Sequence, residues 1–358
     1  MEGPESEPPV QPEAGTKPFR ILSLDGGGIR GAFTAAFLAR LEKTLEHPLT
    51  EYFDLIAGTS TGGIIAVALA LGEPCHRIRD FYQEYGPQIF SRRDALPIPG
   101  WVLNRLSVVA NQYLAPYGLD VDAFRQSKYD GVVLKQALEQ VLGTRTLNDA
   151  KTRLVIPSVD LVSGKTVVFK TPHQPGFIRD KHLSAVDVVL ATTAAPTYFP
   201  HAVMKPGTAY TDGGVWANNP SMVAYVEALK IREVCTRPGI DPVFDMQDVQ
   251  LLSIGTGKPK YSMTPPEVGP GLGWWALRLL DVVFTSQAQG VDNQVRYVLG
   301  EQYYRVDFDI LDKSWSLDAV NLVSTLVHLG EEKAVENYAV LKRDLLNSTS
   351  NRPYHPFA

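Results

Sequence analysis

The chain has 358 residues, 44% of them hydrophobic and 20% charged, which is the composition of one large α/β domain or two smaller ones. A net charge of −5 leaves no electrostatic footprint for nucleic acid. Its two cysteines, Cys75 and Cys235, stand far apart and in no metal spacing, so buried free thiols in a reducing, cytoplasmic setting are expected, with no metal site and no cofactor.

Residues 1–18, MEGPESEPPVQPEAGTKP, are acidic and proline-rich. They lack the basic region and apolar core of a signal peptide, and the expectation is a disordered tail. No apolar stretch reaches the length of a membrane span. Phe19 to Leu24, FRILSL, reads as a strand that runs into Asp25, Gly26, Gly27, Gly28, Ile29, Arg30 and Gly31, with a helix expected over Ala32–Leu45. Gly26–Gly31 fits the G-x-G-x-x-G of a dinucleotide site. Asp25 opposes that use, because a carboxylate beside the first glycine repels a pyrophosphate. Backbone N–H groups at a helix N-terminus suit an oxyanion better. A turn of purely structural value is the third reading.

After His47-Pro48 comes the stretch that organises the chain, YFDLIAGTSTGGIIAVALAL, from Tyr52 to Leu71. A buried strand meets an alanine- and leucine-rich helix across Gly58, Thr59, Ser60, Thr61 and Gly62. G-x-S-x-G in that context is a nucleophile elbow, a tight turn with the serine at its apex. The competing reading is a serine that merely caps the helix. Only one strand precedes this elbow, whereas a standard α/β-hydrolase sheet places several there.

Residues 72–130 are less regular, and Trp101–Tyr117 mixes apolar and aromatic residues with few charges. Leu154–Lys170 predicts a β-hairpin around Ser163-Gly164. Ala191–Pro200, ATTAAPTYFP, joins small residues to a Pro-aromatic corner and alone indicates only tight packing. Tyr210–Pro220 contains Asp212, Gly213 and Gly214, ordinary turn chemistry unless it is paired with Ser60. Val249–Ile254 reads as a buried strand that ends in Gly255-Thr256-Gly257. Gly271–Phe284, with Trp274 and Trp275, is too short to span a bilayer. It is expected to meet a membrane surface, the alternative being a helix buried in the core or in a dimer contact. Tyr303–Asp309 alternates as a strand, helices follow to about Leu346, and residues 347–358 form a polar tail. One domain over 19–346 is expected.

Five stretches stand in order: DGGGIRG at Asp25–Gly31, GTSTGG at Gly58–Gly63, APTYFP at Ala195–Pro200, DGGVWANNP at Asp212–Pro220, and LLSIGTG at Leu251–Gly257. Together they resemble the patatin-like phospholipase family, from about Phe19 to Gly257. A looser likeness to plant patatins continues through SQAQGVDNQVRY and YYRVDFD. The resemblance implies a three-layer α/β/α fold and a Ser–Asp dyad, with Ser60 as nucleophile and Asp212 as general base. It implies an oxyanion hole from Gly26, Gly27 and Gly28, and an anion or head-group contact at Arg30. Gly31, Gly58, Gly62, Gly213 and Gly214 complete the motifs.

The residues agree with a dyad. A serine hydroxyl needs an adjacent base, and none of the seven histidines sits in a motif that marks it as one. His328 falls late enough for a Ser–Asp–His order, but Thr325, Leu326, Val327 and Leu329 around it read as a packed helix. The leading expectation is a phospholipase A-type lipid acyl hydrolase that works through a covalent acyl-enzyme. Its partner is a phospholipid or glycolipid of the membrane, met peripherally; self-association stays open. The alternative is an effector phospholipase held inactive until a nucleotide messenger or protein partner activates it. A non-catalytic nucleotide-binding module on Gly26–Gly31 is the third.

Overall fold

In the computed structural model the described residues are 17–91, 127–235, 237, 241, 243–260, 269, 272–311, 314–350 and 354–357. The expected N-terminal tail, except for its last two residues, and the Trp101–Tyr117 stretch lie outside them.

Phe19–Leu24 forms β1, buried along its whole length because it is the sheet's inner strand. It pairs in parallel with β2 (Leu55–Gly58) on one edge and β6 (Val249–Ile254) on the other. The sheet continues to β8 (Tyr303–Val306), parallel to β6, and to β3 (Arg153–Asp160), parallel to β2. Strand alternation sends neighbouring side chains to opposite faces. Phe19, Ile21, Leu55, Leu251 and Val155 pack with α7 (Ser221–Val234) and α8 (Leu272–Leu299). Leu22, Leu24, Ile56, Leu252 and Ile156 pack on the other face with α1 (Gly31–Glu42), α2 (Thr61–Ala70) and α9 (Val323–Asp344). The three-layer α/β/α expectation therefore holds. With both faces covered, the inner strands read as continuous apolar runs.

The hairpin also holds: β3 and β4 (Lys165–Lys170) pair antiparallel around Gly164, whose φ is 68°. This pairing fills one edge of β3 over residues 155–160. Its other edge is taken by β2 only as far as Val155, after which β5 (Tyr210–Asp212) takes over, with Asp212 opposite Ser158. A short β2 thus leaves room for β5 just beyond its own C-terminal end, where the elbow begins.

Two boundaries differ from the sequence pattern. The first helix stops at Glu42 rather than Leu45, because Thr44 turns back onto the Leu41 carbonyl through both its backbone N–H (3.0 Å) and its hydroxyl (2.6 Å). The strand expected over Tyr303–Asp309 divides into β8 and β9 (Asp309–Ile310), since the Asp307 side chain takes the Phe308 N–H at 2.9 Å. Near the end of the chain, Phe357 lies against the fold, its N–H on the Pro172 carbonyl at 2.7 Å and its ring 3.5 Å from the Arg237 guanidinium.

Candidate active site

Parallel strands open their C-terminal ends along one edge, where α/β sheets build sites. Here β1 delivers Gly26–Gly28, β2 delivers Ser60, and β5 delivers Asp212.

Ser60 has φ 54°, the left-handed region, which costs a non-glycine residue of order 1–3 kcal/mol and marks functional turns. The flanking glycines permit it: a Cβ at Gly58 would overlap the Gly62 carbonyl, and one at Gly62 would overlap that of Leu24. Ser60 stands at the head of α2 but makes no side-chain capping bond, so capping does not account for it. Its N–H donates to Thr192 Oγ1 at 3.0 Å, and Thr192 donates on to the Pro157 carbonyl at 2.6 Å. The hydroxyl is left facing the site.

Asp212 is fully buried. Its Oδ1 accepts the Gly214 N–H at 2.7 Å. Oδ2 has no close partner among the described residues, and the Ser60 hydroxyl is the side chain that reaches the carboxyl. Burial pushes the carboxyl up to about 7, against smaller downward pulls from Ser60 and the Gly214 N–H. Gly213 passes so close to the Pro157 carbonyl that a Cβ there would overlap it, and Gly214 lies against Phe284.

The three loop glycines are not equivalent. Gly26 spends its N–H on the Asn218 carbonyl at 2.9 Å, while its own carbonyl accepts the Thr256 hydroxyl at 2.5 Å. The N–H groups of Gly27 and Gly28 have no partner among the described residues. Gly28 has φ 58°, and a Cβ on it would overlap the Leu317 carbonyl. Arg30 donates from Nε to the Gly27 carbonyl at 3.3 Å. It also lies near Asp281: burial raises that carboxyl, and Arg30 and Arg278 pull it part of the way back. Gly31 begins α1 in contact distance of Thr61 and the Tyr82 hydroxyl, themselves 2.5 Å apart.

Asp25 does not act as expected from its place beside the first glycine. Its carboxylate turns into the fold, onto Arg305 at 3.0 and 2.7 Å, and does not face the open side of the loop. His328 is exposed on α9 and lines no part of the site. Thr192, Asn218, Thr256 and Arg305 were not singled out from the sequence. Thr192 and Thr256 act through hydroxyls on distant backbone groups, Asn218 through its carbonyl, and Arg305 from a distant strand, so their roles depend on tertiary contacts.

Ser60, Thr61 and Gly28 line a cleft that is open to solvent on one side. The other walls are mostly apolar, among them Ile64, Phe81, Phe90, Phe199, Phe284 and Leu317. A serine hydroxyl at a strained turn, a buried carboxyl raised toward neutrality and two unpartnered N–H groups beside an apolar cleft form an arrangement that can carry out acyl transfer.

The patatin-like phospholipase profile matches residues 22–225. A cGAMP-activated phospholipase of Pseudomonas aeruginosa is 33% identical over 312 residues, covering 87% of this chain and 84% of that protein. One of the same name from Vibrio cholerae is 36% identical, covering 72% and 70%. Patatin-like protein 2 of Oryza sativa subsp. indica is 29% identical, covering 92% and 86%. The chain belongs to the patatin-like phospholipase family. Among solved structures, VipD from Legionella pneumophila superposes with a TM-score of 0.37 at 12% identity, covering 89% of this chain and 69% of that one. At that level the superposition carries no functional information.

Proposed function

We propose that the protein is a phospholipase A-type lipid acyl hydrolase that cleaves fatty-acyl esters by a Ser60–Asp212 dyad. The observation that carries this reading is the strained Ser60 turn, set beside the buried Asp212 carboxyl at the end of an apolar cleft. As Ser60 Oγ attacks the ester carbonyl, Asp212 takes its proton. The carbonyl oxygen becomes an oxyanion that accepts from the Gly27 and Gly28 N–H groups, while the positive end of α2 points at the same charge. Gly26 serves by shaping the turn, since its own N–H is occupied. The alkoxide leaves with the proton from Asp212, and water, activated by the same carboxylate, releases the fatty acid. Arg30, half-buried beside the glycine loop, supplies positive charge for an anionic head group.

Labelling with a fluorophosphonate and hydrolysis of mixed phospholipid liposomes test this reading. Both are expected in the wild type and in neither Ser60→Ala nor Asp212→Asn. A wild type that takes no label and releases no fatty acid, with cGAMP present as well as without it, overturns it.

A second reading concerns control of the same site. The bacterial relatives carry the name cGAMP-activated phospholipase, which supports a chain idle until a cyclic dinucleotide binds. Fatty-acid release with and without cGAMP separates a constitutive enzyme from a gated one. Equal rates would remove the gated reading.

A further inference from the structure

Behind the glycine loop lies a buried charge cluster that the Ser60–Asp212 chemistry does not use. Arg305, on β8, has only 5% of its side chain exposed. Its two terminal nitrogens donate to both oxygens of Asp25 at 3.0 and 2.7 Å, to Asp307 Oδ2 at 2.7 Å and to Ser253 Oγ at 2.7 Å. Asp25 follows β1, Ser253 lies near the end of β6, and Asp307 follows β8. Because β6 runs between β1 and β8, one guanidinium spans three adjacent strand ends.

Two loops hang from that clamp. Asp25 is joined directly to Gly26. Asp307 Oδ1 accepts the Gly257 N–H at 2.9 Å and so holds the loop that carries Thr256. Thr256 in turn bonds the Gly26 carbonyl, and its side chain packs on Gly27 so closely that a Cβ there would overlap it. The loop with the two unpartnered N–H groups is therefore held from behind through Asp25 and from the side through Thr256, and both holds lead to Arg305.

Stability alone is a poor reason for such a cluster. Taking a guanidinium and two carboxylates out of water costs so much that apolar side chains of similar size often do as well or better. Burial does press on Asp25, raising its carboxyl to about 6 despite the arginine. What the cluster does provide is direction. Arg305 makes fixed, planar bonds to several groups at once, beside a loop where small misplacement of a donor slows chemistry strongly.

We propose that Arg305 is a positioning residue for ester hydrolysis: by holding Asp25 and Asp307 together, it sets the angle at which Gly27 and Gly28 present their N–H groups to the oxyanion. Arg305 lies outside the residues that the family profile matches and lines no part of the cleft. The inference rests on the hydrolase reading. If the wild type neither takes a fluorophosphonate label nor hydrolyses esters, with or without cGAMP, that reading falls and this one with it. The following outcomes, read on an active wild type, bear on Arg305 alone.

The test compares Arg305→Met, Arg305→Lys and the double variant Asp25→Asn/Arg305→Met, with rates counted per labelled active site. Substrates are a soluble p-nitrophenyl ester and, as a probe of the oxyanion position, a long-chain trifluoromethyl ketone that adds to Ser60 Oγ. Arg305→Met is expected to lose about ten- to a hundredfold in kcat with KM changed by less than about threefold, and ketone affinity should fall in step. Arg305→Lys, which restores the charge but not the fork, should recover part of that loss. The double variant no longer buries an unpaired Asp25 carboxylate, although Asp307 still lacks its guanidinium, so it should melt between Arg305→Met and the wild type and yet remain slow. It also keeps the comparison open if Arg305→Met does not fold. A folded double variant with wild-type kcat and ketone affinity would make the cluster merely structural and overturn the proposal.

Discussion

The hydroxyl of Thr59 donates to the Ala217 carbonyl at 2.6 Å, and this one bond joins the turn that carries Ser60 to the loop that carries Asp212. Thr59 is completely buried, and its backbone N–H reaches the Leu24 carbonyl at 3.1 Å, next to the glycine loop. Thr59→Val keeps the shape and removes the bond. It leaves a buried carbonyl without that donor, at a cost of about 1–3 kcal/mol. Denaturant unfolding should show that loss, and kcat for a soluble ester should fall several-fold while KM stays near the wild-type value. Unchanged kcat would mean that dyad alignment does not depend on this bond.

Asp212 should make activity and stability oppose each other. As the base it must be ionised, and burial raises its carboxyl from 3.8 to about 7. The kcat/KM for an uncharged soluble ester should therefore climb about tenfold per pH unit below 7 and level off above it. In the unfolded chain the same group ionises near 3.8. Between these two values the folded state holds a proton that the unfolded state has lost, so this group's contribution to stability is present at low pH and declines as pH rises towards 7. The full loss is roughly 4 kcal/mol, an order-of-magnitude figure from about three pH units. Asp212→Asn should then match the wild type in stability near pH 4, exceed it at pH 8, and hydrolyse nothing at either. Urea unfolding of both proteins at the two pH values measures this. Equal stability at pH 8 would mean that Asp212 ionises near its ordinary value.

The glycine loop predicts two different failures. Gly28→Ala forces a side chain into φ 58° and onto the Leu317 carbonyl, so both folding and catalysis should suffer. Gly27→Ala keeps its N–H but presses on the Thr256 side chain, Cβ included, and so displaces the hydroxyl that bonds the Gly26 carbonyl and moves the loop. Its main effect should be on the transition state, where one oxyanion donor is worth about 2.7–4 kcal/mol. Steady-state kinetics on Gly27→Ala should show kcat down about a hundredfold or more with KM little changed. A raised KM with normal kcat would point to a binding loop instead.

How much of this was legible in the sequence differs residue by residue. Ser60 was readable because a glycine-flanked serine between an apolar strand and a helix has few other uses. Asp212 was readable only as half of a pair, since Asp-Gly-Gly makes turns everywhere. The register that brings it to Ser60 depends on β2 being too short to cover β3, and strand length is set by tertiary pairing. The division of labour within Gly26–Gly28 was hidden, because the Asn218 carbonyl that occupies Gly26 arrives from a distant loop. Arg305 was hidden for the same reason: its partner Asp25 is 280 positions away, and on its own it reads as a polar residue in an alternating strand.

The start of α8 carries an exposed apolar face, and the prediction is that it meets the membrane. Trp275 is 38% exposed and Leu279 50% exposed, and residues four apart share one helix face. Phe284, farther along the same helix, is buried and lines the cleft at whose end Ser60 stands. The helix thus joins an exposed apolar face to the wall of the cleft, where Phe284 lies against Gly214 beside Asp212. Among the described residues no helix is long and apolar enough to cross a bilayer. The docking expected of this face is interfacial, where tryptophan is favoured. A net charge of −5 gives no general attraction to anionic lipid and leaves local apolar contact as the driving force. Burying the exposed parts of these two side chains is worth about 2–3 kcal/mol together, or roughly thirty- to a hundredfold in partition to vesicles. Trp275→Ala with Leu279→Ser should therefore weaken binding to neutral phosphatidylcholine vesicles by about that factor, measured by sedimentation. Hydrolysis of a short soluble ester and the melting temperature should stay at wild-type values. Vesicle binding that survives both substitutions would move the docking surface elsewhere, and loss of soluble-ester activity together with a lower melting temperature would show that this face supports the fold instead.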